Sequence, residues 1–137
     1  MNKARYVIGI DPGKKTGVAV YDRVERCFIE VATMPTYKAL FFVQALDRDC
    51  IVYVEDARKR KWYGGRSSAK QQGAGAIKVQ CSIWEEMLTM EKIKHQMIHP
   101  IKGATKWGSE MFVRATGWQG RTSGHSRDAA LIALSKV

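Results

Sequence analysis

The chain has 137 residues, enough for one domain that buries about two-thirds of its unfolded surface. It carries 23 Lys and Arg against 13 Asp and Glu, a formal charge of +10. That excess favours a polyanionic partner, nucleic acid before membrane, because no basic amphipathic helix stands out. No run of eighteen apolar residues and no leader segment is visible, which argues against a membrane span or export and predicts a cytosolic protein.

Tyr6–Asp22 predicts two short strands, since two apolar, β-branched runs flank the turn Asp11-Pro12-Gly13. Pro12 donates no N–H, and Gly13 and Gly17 are read as supplying backbone angles that other residues avoid. Cys27–Thr33 is a third strand, reached by the short polar turn Arg23 to Arg26, so the first three strands form an antiparallel meander. Thr36 after Pro35 opens a helix in which Ala39, Phe42, Val43 and Leu46 recur at helical spacing. Cys50–Val54 is a continuous apolar run, the signature of a central strand covered on both faces, and it ends in Glu55-Asp56.

A basic and aromatic loop follows. Between Arg58 and Lys70 there are six basic residues and no acid, with Trp62 and Tyr63 among them. From Lys70 to about Glu91 the pattern is helical and apolar on two sides. One stripe is Ala76, Val79, Ile83, Met87 and Met90; the other is Ala74, Ile77, Cys81, Trp84 and Leu88. The two stripes lie roughly 135° apart, so a sheet covers only one of them. A short strand at Lys94–Ile98 ends before Pro100, and Lys102–Gly117 predicts a helix bearing Trp107, Met111, Phe112 and Ala115. A glycine-rich loop then leads into a last helix that sets His125 and Asp128 on one face. The order β-β-β-α-β-α-β-α-α predicts a mixed α/β sheet of five strands, three antiparallel and then two parallel, with helices on both faces and strands one and four adjacent. Cys27, Cys50 and Cys81 are odd in number, sit in apolar runs and show no zinc spacing, so they read as buried reduced thiols.

Three acids then come together. Asp11 ends the first strand, Glu55 the fourth, and Asp128 lies in the first turns of the last helix. Each has a bland alternative: a turn aspartate, a solvated strand end, a helix-dipole partner. Converging carboxylates repel one another unless cations sit between them, and oxygen ligands suit Mg²⁺ or Mn²⁺. Asp56 is the next carboxylate, but in a strand it points to the face opposite Glu55.

The stretches Ile-Gly-Ile-Asp11-Pro-Gly13-Lys-Lys-Thr-Gly17-Val-Ala, Val54-Glu55 and His125-Ser-Arg-Asp128-Ala129-Ala130 resemble the RuvC-type Holliday-junction resolvases of the ribonuclease H-like superfamily, most closely the small phage-encoded members. The spacing Pro100-x-Lys102-x-x-x-Lys106 resembles that family's basic approach to the last helix. Where many members carry a carboxylate, this chain has His125. The resemblance implies a structure-selective endonuclease that resolves branched DNA as a homodimer, in the cytoplasm of a bacterium or phage-infected host. It further implies two Mg²⁺ per site, with Mn²⁺ as substitute, about 3.5–4 Å apart. In that scheme Asp11 bridges the metals, Glu55 and Asp128 hold either side, and His125 ligates or orients water. Lys102 or Lys106 neutralises phosphate charge.

DNA backbone contacts fall to Arg58, Lys59, Arg60, Lys61, Arg66 and Lys70, with Trp62 or Tyr63 stacking on a base. Trp84 and Trp107 read as core. Three other readings stand beside this one. Actin-like and sugar-kinase ATPases share the opening pattern but need two such domains and no +10. A hydrolase of RNA or RNA–DNA hybrid would use the same carboxylates, and a binding module would carry them idle.

Overall fold

The computed structural model describes residues 3–60, 68–101 and 107–137, with the side chains of 68–74 left aside. The strands are β1 (Tyr6–Asp11), β2 (Lys15–Asp22), β3 (Cys27–Pro35), β4 (Cys50–Glu55) and β5 (His95–Ile98). The helices are α1 (Thr36–Gln44), α2 (Ser68–Met90), α3 (Ser109–Thr116) and α4 (Gly124–Leu134), and a single 3-10 turn spans Ala57–Lys59. The strand order is β3-β2-β1-β4-β5. β1 runs antiparallel to β2 and parallel to β4, and β4 runs parallel to β5. This is the five-stranded mixed sheet that the element order predicts, three strands antiparallel and two parallel.

Alternation along the central strands builds two cores. Ile8, Ile10, Val18, Val20, Val52 and Val54 face α1 and α2, meeting Ala39, Val43, Trp84 and Leu88. Val7, Ala19, Phe28, Val31 and Tyr53 face the other way, against Phe112 of α3 and Ala129, Ala130, Ile132 and Ala133 of α4. The period of two decides which residues reach the site. Asp11 shares the α4 face with Val7 and Gly9, and Glu55 shares it with Tyr53.

Four expectations need adjustment. Cys27 is exposed rather than buried, because it is the first residue of an edge strand; only Cys50 and Cys81 are buried, and all three are free thiols. Of the helix predicted over Lys102–Gly117, residues 102–106 lie outside the described residues, and among the described ones it runs from Ser109 to Thr116. Gly108 caps it and Trp107 precedes it, packing against Phe112 with ring centres 6.4 Å apart. In α2 the stripe of Cys81, Trp84 and Leu88 is fully buried, while Ile77 of that stripe is exposed together with Val79, Ile83 and Met90. Neither Gly13 nor Gly17 has a positive φ, so neither is required for its backbone angles.

At the far end of the hairpin Asp22 is buried and its carboxylate takes a two-pronged grip from Arg5, Nε donating to Oδ1 at 3.0 Å and Nη2 to Oδ2 at 2.9 Å. The Arg5 hydrogen bonds, helped by the N–H groups of Glu25 and Val24, lower its pKa from 3.8 to about 2 against the opposing effect of burial. A depressed carboxylate stabilises the fold above its unfolded value and loses that contribution as pH falls through the folded one. The melting difference between the parent protein and Asp22→Asn should therefore be full at pH 6 and shrink as pH drops from 3.8 towards about 2. Thermal melts across that range check it.

Candidate active site at the carboxyl ends of the central strands

Parallel pairing puts Ile10 opposite Val54, so the next residues, Asp11 and Glu55, end neighbouring strands on the same face. The turn after Asp11 is pinned from two sides. Thr16, itself buried, donates from Oγ1 to the Gly13 carbonyl at 2.7 Å, and Thr36 at the start of α1 donates to the same oxygen at 3.0 Å.

Helix α4 supplies the rest. Ser123 caps it, accepting from the Ser126 N–H while the Ser126 hydroxyl accepts from the Ser123 N–H, a reciprocal capping box. The Ser123 hydroxyl also meets the Thr33 hydroxyl of β3, which fixes where the helix starts. From there α4 lies directly on the strand backbones. A methyl at Gly17 would stand 2.0 Å from the His125 carbonyl oxygen, and one at Gly9 2.0 Å from that of Ala129. Only glycine allows that approach, and the approach brings the first turn of α4 over Asp11. His125 Nδ1 lies 3.3 Å from Asp11 Oδ2, with the imidazole half exposed and the carboxylate largely covered.

Glu55 records the convergence electrostatically. Its pKa is raised, first by burial and next by the charge of Asp11, with Asp128 adding to the effect. Arg60 and a backbone N–H at Ile101 act the other way. A carboxyl with a raised folded value contributes most to stability while protonated, and that contribution is lost as pH rises through it. Glu55→Gln should therefore melt above the parent protein at pH 7 in a chelating buffer. The gain should vanish at a pH low enough to protonate Glu55. Calorimetry at the two pH values checks this, and a lower midpoint at pH 7 would contradict the repulsion.

The other expected residues divide. Asp56 points to the opposite face and is buried, with its carboxylate held by Arg58. Arg58 is no free loop cation: it sits in the 3-10 turn and bonds Asp56, Ser82 and Glu85. Lys59 and Arg60 are exposed, and the charge of Arg60 is felt at Glu55. Lys61, Trp62, Tyr63, Arg66, Lys102 and Lys106 lie outside the described residues, as does the side chain of Lys70. Arg60 as the countercharge of Glu55 is not legible in the sequence. Arg127 is a further residue of the site's frame: it donates to the Trp107 carbonyl at 2.8 Å and the Thr122 hydroxyl at 2.8 Å and so ties the chain at Trp107 to α4. An arginine next to Asp128 was the available signal for Arg127.

Three carboxylates and an imidazole form a hard donor set, and the repulsion felt at Glu55 is what a divalent cation would relieve. In chemistry the residues fit Mg²⁺ or Mn²⁺. As placed, no three His, Cys, Asp or Glu among the described residues stand close enough together to enclose an ion.

No protein-family model matches the chain, and no curated protein matches it in sequence. Among solved structures, T. thermophilus RuvC in complex with a Holliday junction substrate aligns with a TM-score of 0.64 over 95% of this chain and 90% of that one, at 16% identity. The chain has the RuvC fold. The likeness to RuvC spans nearly the whole length, so it covers the sheet and the helices on both its faces rather than the opening hairpin alone. At that identity the likeness is one of backbone fold.

Proposed function

We propose that the chain is a metal-dependent endonuclease that cuts four-way DNA junctions. The observation that carries this is the meeting of Asp11 and Glu55 at the ends of parallel strands, with His125 and Asp128 brought over them by α4. The likeness to a protein solved on a Holliday junction and the charge of +10 support DNA as the substrate. Asp11, Glu55, Asp128 and His125 would hold two Mg²⁺ or Mn²⁺ ions. When bound, such ions supply an activated water and charge stabilisation at the leaving oxygen.

The chain's own contribution is placement. Glu55, half-buried and repelled by its neighbours, is primed to accept a cation. His125, beside Asp11 and half exposed, is placed to hold water or metal. Lys59 and Arg60, with Lys61, Arg66 and Lys70, would track phosphates; Trp62 or Tyr63 would stack on a base, and Lys102 or Lys106 would meet the scissile phosphate. Arg58 is left out of this set because its guanidinium is already engaged.

The exposed stripe of Val79, Ile83 and Met90 is the surface a second copy would cover, giving a homodimer with two sites for a fourfold substrate. Ile83→Asp is the variant that tests it by light scattering, since Trp84 is core and its replacement would unfold the chain. The function itself is tested by incubating the protein and Mg²⁺ with a synthetic four-way junction, the matched duplex and an RNA–DNA hybrid. Paired, Mg²⁺-dependent nicks in the junction alone are expected. Preferential cutting of the hybrid would reassign the substrate, and binding without cutting would leave a nucleic-acid-binding module.

A further inference from the structure

The residue after Glu55 is held far more tightly than a strand end requires. Asp56 has a 4% exposed side chain on the face opposite Glu55, and both of its oxygens are occupied. Oδ1 accepts from the Arg58 backbone N–H at 3.0 Å and from Arg58 Nε at 2.8 Å, while Oδ2 accepts from Arg58 Nη2 at 2.8 Å. The guanidinium then reaches on to α2, Nη2 donating to Glu85 Oε1 at 3.0 Å and Nη1 to Ser82 Oγ at 3.2 Å.

Two further bonds grip the same peptide. The Asp56 N–H donates to the Ile98 carbonyl of β5 at 2.8 Å, and Cys81 Sγ lies 3.7 Å from the Glu55 carbonyl. The backbone at Glu55 is thus held by β5, by α2 and by the 3-10 turn, and its side chain projects towards the α4 face.

We propose that Arg58 is a positioning residue for the metal-binding carboxylate: by clamping Asp56 to α2 it fixes the end of β4 from which Glu55 projects. This rests on the nuclease reading above. Satisfying a buried aspartate would need only the Asp56 contacts; the bonds to Ser82 and Glu85 add a fixed attachment to a helix of the core. A planar fork holds its partner in one orientation, whereas a lysine ammonium offers a point contact. Ligand carboxylates respond steeply to such support. Loss of an outer partner characteristically costs about 10–100-fold in metal affinity or activity.

Arg58→Lys and Glu85→Ala test the clamp, the second removing the ion-paired one of the two α2 bonds, from a side chain that is 46% exposed, while leaving the Asp56 contacts and the Ser82 bond in place. Four quantities are read: Mn²⁺ affinity of the DNA-free protein by calorimetry, the Mg²⁺ midpoint for junction cutting, junction affinity in Ca²⁺, and the melting midpoint. Arg58→Lys should weaken Mn²⁺ binding and raise the Mg²⁺ midpoint about 10–100-fold, and Glu85→Ala about tenfold, with junction affinity held within about twofold. A lower melting midpoint with unchanged Mn²⁺ affinity in the folded protein would make the clamp purely structural and overturn the proposal. So would a loss of junction affinity with the Mg²⁺ midpoint unmoved, which would make Arg58 a DNA contact. If Arg58→Lys does not fold, unchanged Mn²⁺ affinity in Glu85→Ala overturns it alone. A parent protein that binds no Mn²⁺ removes the nuclease reading and this inference together, whereas a cutting parent with insensitive variants removes only the clamp.

Discussion

Asp11→Asn will leave the protein folded and bound to junction DNA while lowering cleavage by about a thousandfold or more. The expectation follows from where Asp11 stands. It ends the central strand β1 next to Glu55, it contacts His125, and its charge is felt at Glu55. On the proposed mechanism it would help hold the cations, whose charge stabilisation would be worth several kcal/mol, or about three orders of magnitude in rate. The substitution keeps size and shape, so packing at the strand end is preserved. It removes a negative charge from a surface meant to face phosphates, so junction affinity in Ca²⁺ should hold or rise. Glu55→Gln and Asp128→Asn should behave alike, each removing one side of the donor set. His125→Ala should be milder, because an exposed imidazole 3.3 Å from Asp11 has water as a stand-in. Single-turnover cutting and junction binding, measured side by side, separate the two effects. An Asp11→Asn protein that cuts at the parent rate would end the metal-site proposal.

The architecture was legible because it depends on patterns the sequence displays openly. Apolar runs of the right length, a tight turn after Asp11 and alternation between strand and helix leave few topologies open. The same alternation of faces separates Glu55 from Asp56 without any structure: Tyr53 and Glu55 turn to α4, while Val54 and Asp56 turn to α2. Contacts between side chains distant in sequence were hidden. Arg58 reads as one more loop cation, because nothing in Arg-Lys-Arg-Lys announces that Glu85, 27 residues on, will bond it. In α2, periodicity gave two apolar stripes but not the choice between them; the buried one is that of Cys81, Trp84 and Leu88. The exposure of Cys27 is hidden for a related reason, since apolar neighbours in sequence do not bury the first residue of an edge strand.

Gly17 matters for the side chain it lacks and not for its backbone angles, and this carries the largest expected effect on stability. Gly17 and Gly9 lie in the sheet on neighbouring strands, and α4 rests on both. An added Cβ at Gly9 would meet the Ala129 carbonyl oxygen at 2.0 Å and the Ala133 nitrogen at 3.0 Å. At Gly17 it would meet the His125 carbonyl oxygen at 2.0 Å and the Ser126 nitrogen at 3.2 Å. Each opposing atom is helix backbone, so no side-chain rotation relieves the overlap and α4 itself must lift. Overpacking of this kind costs about 1–3 kcal/mol or more, and with the strand and helix backbones both fixed the upper end applies. Gly9→Ala and Gly17→Ala should each lower the melting midpoint by about 10 °C or more. Gly75→Ala is the control: nothing lies within 4 Å of its Cβ, and alanine in a helix gains up to about 1 kcal/mol over glycine. The two sheet glycines should then part in activity. Gly17 presses on His125, so its substitution moves His125 and Asp128 away from Asp11 and should cut cleavage about a hundredfold even well below the melt. Gly9 presses one turn further along, at Ala129, and should cost mainly stability. Cleavage assayed at 10 °C, where both variants remain folded, tells them apart; equal loss in both would place α4 as one rigid unit over the whole sheet.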